Sequence, residues 1–176
     1  PPRSTLFPYT TLFRSELVIS SAKFNKEITE RVNEIAVRIV SDLKYTGVMG
    51  IEMFLRGNEI LVNELAPRVH NSGHYTIEGS YTSQFENHIR AVLDLPLGNT
   101  EKISENCVMI NLLGKRDGES KIRRTGKVLS LKNTYLHIYG KKLTRAGRKM
   151  GHITVIDKDL NTAINTAYSS ADELEF

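Results

Sequence analysis

Two short apolar runs, 48–55 and 60–65, flank the tetrad Arg56-Gly57-Asn58-Glu59, and each run carries one glutamate, Glu52 or Glu64. Apolar runs of strand length around a Gly-Asn turn read as a β-hairpin. A carboxylate inside such a run is costly unless something compensates it. Two facing carboxylates also raise each other's pKa unless a cation sits between them. A hard divalent cation such as Mg²⁺ resolves both problems, because it takes oxygen ligands and accepts phosphates in its shell. Register decides whether the pair can meet, since side chains alternate faces along a strand. A two-residue loop at Gly57-Asn58 pairs Glu52 with Asn63 and turns Glu64 away. A three-residue loop, or an equivalent bulge, sets Glu52 opposite Glu64 on one face. A metal pair therefore requires the second register; the alternative is an ordinary solvated hairpin.

The neighbours of the hairpin are ordered around it. Apolar residues Ile28, Val32, Ile35, Ala36, Ile39, Val40 and Leu43 recur at helical spacing and predict a helix over 25–43 with Asn25 as N-cap. Residues 67–81 have no period and read as a loop. Ser83 and Glu86 fit a capping box opening a second helix over 83–93, which Pro96 and Gly98 stop. Beyond Asn99 the texture changes to strands at 107–113, 135–139 and 151–156, closed by a weak helix over 161–173. The pattern predicts an α+β chain: a helix, β-hairpin, helix segment over 16–98, then a small strand-rich domain over 99–176. Residues 1–15, PPRSTLFPYTTLFRS, lack acidic residues and echo themselves in Ser-Thr-Leu-Phe and Thr-Thr-Leu-Phe. They read as a non-native, adapter-derived segment, and the native frame is expected to begin near Glu16.

Three constellations carry chemistry. The first is the pair Glu52 and Glu64. The second is the loop that follows Glu64, where Arg68, His70, Asn71, Ser72 and His74 crowd together. Arg68 can hold an oxyanion with its planar fork, and His70 can donate a hydrogen bond or move a proton near neutral pH. The third is 139–152, where Lys141, Lys142, Arg145, Arg148 and Lys149 lie between glycines and two strands, an arrangement able to close on a phosphate. It has no Walker pattern.

The charge balance agrees with an anionic partner. Of a net +4, a disproportionate share lies in 115–149, where only Asp117 and Glu119 oppose Lys115, Arg116, Lys121, Arg123, Arg124, Lys127, Lys132 and the basic loop. Aromatic-interleaved RNA motifs and helix-turn-helix signatures are missing, which disfavours nucleic acid. The single cysteine, Cys107, sits in an apolar run and reads as a buried thiol of a cytoplasmic protein. Apolar runs fall short of a membrane span.

The strings NELAPRVHNSGHYT and TSQFENHIRAVLDLPLG, with GVMGIEMFL before them and YGKK and RAGRKMGH after, resemble the N5-carboxyaminoimidazole ribonucleotide synthase family of ATP-grasp carboxylate–amine ligases over about 24–156. The resemblance implies the carboxyl-terminal piece of an ATP-grasp core followed by the family's small last domain. It implies ATP-dependent carboxylation of aminoimidazole ribonucleotide by bicarbonate, through carboxyphosphate, in purine biosynthesis. By position, Glu52 and Glu64 would hold Mg²⁺ (or Mn²⁺) on the ATP phosphates, with Asn63 beside the nucleotide. Arg68 and His70 would act on bicarbonate and carboxyphosphate. His70 and Asn71 would orient the imidazole substrate, and Lys141 and Arg148 would grip its 5′-phosphate. The partners implied are these small molecules, neither nucleic acid nor membrane, with the whole enzyme a homodimer.

Two departures qualify the likeness. Ala66 stands where many ATP-grasp enzymes carry a third metal ligand, an asparagine. The family's amino-terminal Rossmann-like domain and ATP lid have no counterpart in the sequence, so the chain is expected to be a fragment inactive alone. The rival readings are the formate-dependent glycinamide ribonucleotide transformylase, a basic nucleic-acid-binding module led by 121–124, and a poorly folding remnant with apolar surface open.

Overall fold

The structure, a computed structural model, describes residues 16–20 and 24–174. The expected adapter-derived segment, 1–15, lies outside the described residues. In chain order the elements are β1 (Leu17–Ile19), α1 (Lys26–Asp42), β2 (Gly50–Arg56), β3 (Glu59–Ala66), α2 (Thr76–Gly79), α3 (Gln84–Val92), β4 (Asn106–Leu113), β5 (Gly118–Glu119), α4 (Thr125–Leu129), β6 (Thr134–Ile138), β7 (Leu143–Thr144), β8 (Lys149–Asp157) and α5 (Leu160–Glu173). Every strand pair is antiparallel, so the class is α+β.

The described residues divide into two units, 24–105 and 16–20 with 106–174. In the first unit, Asn25 caps α1 as its spacing predicts, its Oδ1 accepting from Ile28 N at 2.8 Å. The apolar stripe of α1 is half-buried, and none of its residues is fully enclosed. Ser83 caps α3 by accepting from Glu86 N at 3.2 Å. The expected capping box is only half made, because Glu86 turns its carboxylate to Arg90 one turn on, at 2.6 Å. The loop predicted over 67–81 contains a 3₁₀ turn at Asn71–Gly73 and the single helical turn α2. The 99–105 segment stays with this unit, since Ser80 bridges Lys102 and Ile103 N donates to Gly79 O at 3.1 Å.

The second unit is a four-stranded sheet ordered β1-β4-β8-β6. Its centre strand β4 is buried on both faces, which explains the continuous apolar run Cys107–Ile110. Val108, Ile110 and Leu112 join Met150, Ile153 and Val155 of β8 and Val128 of α4 against Ala163 and Ala167 of α5, forming one closed core. Cys107 is buried as expected, on the strand face opposite Val108 and Ile110. Asp159 caps α5 by accepting from Thr162 N at 2.7 Å. Strand β1 was not foreseen: Leu17–Ile19 pairs with Ile110–Val108 along the sheet edge, and three residues are too few to show a period. Likewise β5 and β7, two residues each, form a small ribbon beside the main sheet.

Candidate functional site

The hairpin realises the register a shared cation requires, by the less obvious of two routes. Arg56 pairs with Glu59, so the loop is the two-residue Gly57-Asn58, with Gly57 at φ +61 in the left-handed position such a turn uses. That loop alone would pair Glu52 with Asn63. A bulge overrides it: Met53 pairs with Val62 while Glu52 pairs with Glu64, leaving Asn63 as the extra residue. Directly opposed residues of an antiparallel pair share a face, so both carboxylates project from the same side. The bulged Asn63 is used as well, its Nδ2 donating to Glu52 Oε2 at 3.3 Å.

His70 completes this face from the following loop. Gly50 and Ala66 are the pair preceding Glu52 and Glu64 on the same side. The bare Cα of Gly50 lets His70 lie close over the hairpin: a Cβ built there would stand 2.7 Å from His70 Cβ. From there His70 Nε2 reaches to 3.6 Å from Glu52 Oε1. His70 is largely buried and Glu52 half-exposed, so the contact is partly screened. Ser72 lies on the ring's other side, its Oγ 2.8 Å from Nδ1. Ala66, noted in the sequence for the ligand it lacks, is buried opposite Gly50.

Of the sequence-predicted residues, the structure therefore gathers Glu52, Asn63, Glu64 and His70. Arg68 and Asn71 lie on the same loop, where Arg68 is exposed and donates from Nη1 to Val69 O at 3.0 Å. The exposed Glu64 carboxylate makes no hydrogen bond or ion pair among the described residues. Two carboxylates with one uncommitted suit a hard cation that completes its shell with phosphate and water. Among the described residues no cluster of three or more His, Cys, Asp or Glu stands ready to hold a metal by itself.

Lys141 and Arg148 belong to the second unit, in the connection between β6 and β8. Lys141 Nζ donates to Lys149 O at 2.5 Å and lies 5.5 Å from the Tyr139 ring centroid. Arg148 Nη1 donates to Leu143 O at 2.8 Å, Gly114 N donates to Arg148 O at 2.8 Å, and Gly114 O accepts from Gly147 N at 2.9 Å. The basic loop is thus a tied hairpin. Two members of the wider basic cluster are paired, Lys121 with Glu119 at 2.9 Å and Lys127 with Glu173 at 2.8 Å.

The sequence reading missed the groups that hold His70. Gln84, 8 % exposed, binds both the backbone N–H and the carbonyl of His70. His88 pins the hairpin's approach by accepting from Val48 N at 3.1 Å. Only Gly50 left a readable trace, since a glycine opening a strand marks close approach of another group.

Residues 14–85 match the ATP-grasp domain model, and 107–166 match the phosphoribosylaminoimidazole carboxylase C-terminal domain. N5-carboxyaminoimidazole ribonucleotide synthase of Brucella melitensis is 48% identical over 136 residues, covering 77% of this chain and 36% of that protein. The crystal structure of N5-carboxyaminoimidazole ribonucleotide synthetase from Thermotoga maritima superimposes with a TM-score of 0.83 at 47% identity, over 90% of this chain and 45% of that one. An Aspergillus clavatus N5-carboxyaminoimidazole synthase, solved with ADP and 5-aminoimidazole ribonucleotide, gives 0.75 at 36% identity over 89% of this chain and 43% of its own. The chain thus spans less than half the length of the relatives it matches.

Proposed function

The chain belongs to the N5-carboxyaminoimidazole ribonucleotide synthase family of ATP-grasp ligases, and on that premise we propose that it supplies the phosphate-and-bicarbonate half of the site for carboxylating 5-aminoimidazole ribonucleotide. In this reaction ATP phosphorylates bicarbonate to carboxyphosphate, the CO₂ unit passes to the exocyclic amine, and ADP and phosphate leave. The observation that carries the reading is the bulge that sets Glu52 across from Glu64 beneath His70.

Glu52 and Glu64 would hold Mg²⁺, or Mn²⁺ in its place, against the β- and γ-phosphates, with Asn63 keeping Glu52 turned to the face. The metal, when bound, offsets charge on the phosphoryl group in transfer. Arg68, exposed at the loop's edge, offers its fork to bicarbonate and then to the carboxyphosphate oxyanion. His70 donates beside it, and Asn71 helps orient the imidazole. Lys141 and Arg148 would receive the ribonucleotide 5′-phosphate; Arg148 carries five N–H donors and directs Nη1 at Leu143 O. The ADP and 5-aminoimidazole ribonucleotide in the Aspergillus clavatus relative support this ligand set.

The same reading makes the basic bias a site for phosphorylated small molecules rather than nucleic acid. It implies a homodimer for the whole enzyme and a cytoplasmic setting, the latter supported by the lone buried thiol. No helix among the described residues is long and apolar enough to cross a membrane.

A segment exchange tests the proposal. The matching 136-residue segment of the Brucella melitensis relative is replaced with that of this chain. The hybrid is expected to release phosphate from ATP only when aminoimidazole ribonucleotide and bicarbonate are both present. Glu64→Gln within it is expected to lower turnover by on the order of 10²-fold or more, the scale of lost charge stabilisation at a metal-assisted phosphoryl transfer. A folded hybrid without such turnover contradicts the reading. The 176-residue chain by itself is expected to show none.

A further inference from the structure

Gln84 opens α3, and its side-chain amide is buried against the loop that carries His70 and His74. Its Oε1 accepts from His70 N at 2.9 Å, and its Nε2 donates to His70 O at 2.8 Å. A backbone N–H only donates and a backbone carbonyl only accepts, so the orientation of this amide is fixed by chemistry. The second Nε2 hydrogen is directed at His74 Nδ1, 2.8 Å away. Nδ1 of His74 must then accept, which puts the proton of the neutral ring on Nε2.

The same logic applies at His70. The Ser72 backbone N–H faces His70 Nδ1 at 3.4 Å and can only donate. The Ser72 hydroxyl, 2.8 Å from the same nitrogen, follows as a second donor. Nδ1 therefore accepts, and the proton of neutral His70 sits on Nε2, the atom 3.6 Å from Glu52 Oε1.

The loop leaves the amide little room to move. Gln84 N donates to Thr76 Oγ1 at 2.9 Å, and Thr76 Oγ1 donates to Gly73 O at 2.6 Å. A Cβ on Gly73 would come within 2.5 Å of Gln84 Oε1.

We propose that Gln84 is a positioning residue which, together with Ser72, fixes His70 and His74 as Nε2–H tautomers and presents the His70 N–H to the Glu52 side of the hairpin face. Neutral His70 then offers that face a donor and no lone pair. It steadies a carboxylate or an oxyanion there and does not serve as a base. The geometry stands independently of the proposed reaction; only the meaning of the N–H for bicarbonate chemistry rests on it.

Long-range proton–nitrogen correlation spectra of the full ¹⁵N-labelled chain, taken where the histidines are neutral, test the assignment. Both His70 and His74 are expected to show a protonated Nε2 and a bare Nδ1. In Gln84→Glu the acceptor for His70 N survives, but the donor toward His74 becomes a carboxylate. His74 is then expected to move its proton to Nδ1, and exchange of the His70 amide to accelerate at least tenfold as its second tether is lost. Gln84→Met, which removes every polar contact at similar size, is expected to accelerate His70 amide exchange further and leave His74 a tautomer mixture.

A wild-type spectrum with Nδ1 protonated in either ring overturns the proposal. So does a Gln84→Glu chain whose His74 tautomer and His70 exchange are unchanged, because a merely structural glutamine would not set a tautomer. If both variants fail to fold, the wild-type spectrum decides alone. Titration of the wild type with Mg²⁺ and ADP separates the two claims. Expected tautomers without a response at Glu52 and Glu64 support the clamp and count against the proposed function.

Discussion

The two units of this chain are ordered by different physics. The sheet unit encloses Val108, Met109, Ile153, Ala163 and Ala167 completely, and its helices and strands close on one apolar core. Among its described residues the hairpin unit buries one hydrophobic side chain, Ala66; the other enclosed side chains there are Ser80, Thr82, Gln84 and Asn87. Many of its large apolar residues stay open, with Phe54 49 % exposed and Ile89 54 %, and the rest are half-buried. What holds the candidate site is a set of directional bonds: Gln84 to His70, His88 to Val48, and Asn87 to Gly98. A hydrophobic core fixes a fold without regard to direction, whereas a hydrogen-bond lattice fixes particular atoms. The unit that carries the carboxylates is built in the second way, and exposed apolar side chains are its counterpart.

The largest expected effect separates the units most sharply. Ile153→Ala should destabilise the sheet unit by about 2–5 kcal/mol, as for a fully enclosed aliphatic side chain, while Phe54→Ala should lie within about 0.5 kcal/mol of the parent. Amide exchange across β8 and β2 during urea unfolding reads both. Equal losses would erase the distinction drawn here.

A smaller effect sharpens it. Gly50→Ala places a methyl against the His70 ring, and overpacking of this kind costs about 1–3 kcal/mol. The chemical shifts of His70 and Glu52 should move while those of β4 and β8 stay in place. Unchanged His70 signals would mean that the ring does not lie over the hairpin.

The smallest effect is a pH dependence in the sheet unit. The Lys127 ammonium, by hydrogen bond and charge, holds the Glu173 carboxyl below the ordinary glutamate range. A depressed folded pKa contributes stability that is fully present above the unfolded value and is lost as pH falls through the folded one. Lys127→Met should therefore flatten the acid end of the stability profile of this unit, measured by thermal unfolding across acidic pH. Asp159, lowered chiefly by its bond from Thr162 N, adds a slope of the same sign that Lys127→Met leaves intact.

The contrast between the units also governs what the sequence could disclose. Periodicity predicted α1, α3 and α5 within a residue or two, because an apolar stripe is a local property. The two glutamates in apolar runs flagged the hairpin face, although the structure leaves Glu64 exposed and Glu52 half-exposed rather than buried. Register was legible only as a choice. A two-residue turn and a bulge at Asn63 leave the same letters on the page as a longer loop, and the bulge forms only in the paired ladder. Gln84 was invisible for a related reason. It stands one residue after a helix cap, where a polar residue is unremarkable, and its importance comes from a loop more than ten positions earlier. The half-made box at Ser83 shows the opposite failure: the local pattern was correct in type, yet Arg90 won the Glu86 carboxylate.

The central claim is that Glu52 and Glu64 share one divalent ion. Paramagnetic broadening by Mn²⁺ with ADP, read on the amides of the full chain, tests it most directly. The account predicts broadening centred on Glu52, Asn63 and Glu64 that Glu64→Gln removes. Broadening that spares this face, or that survives the substitution unchanged, would contradict it.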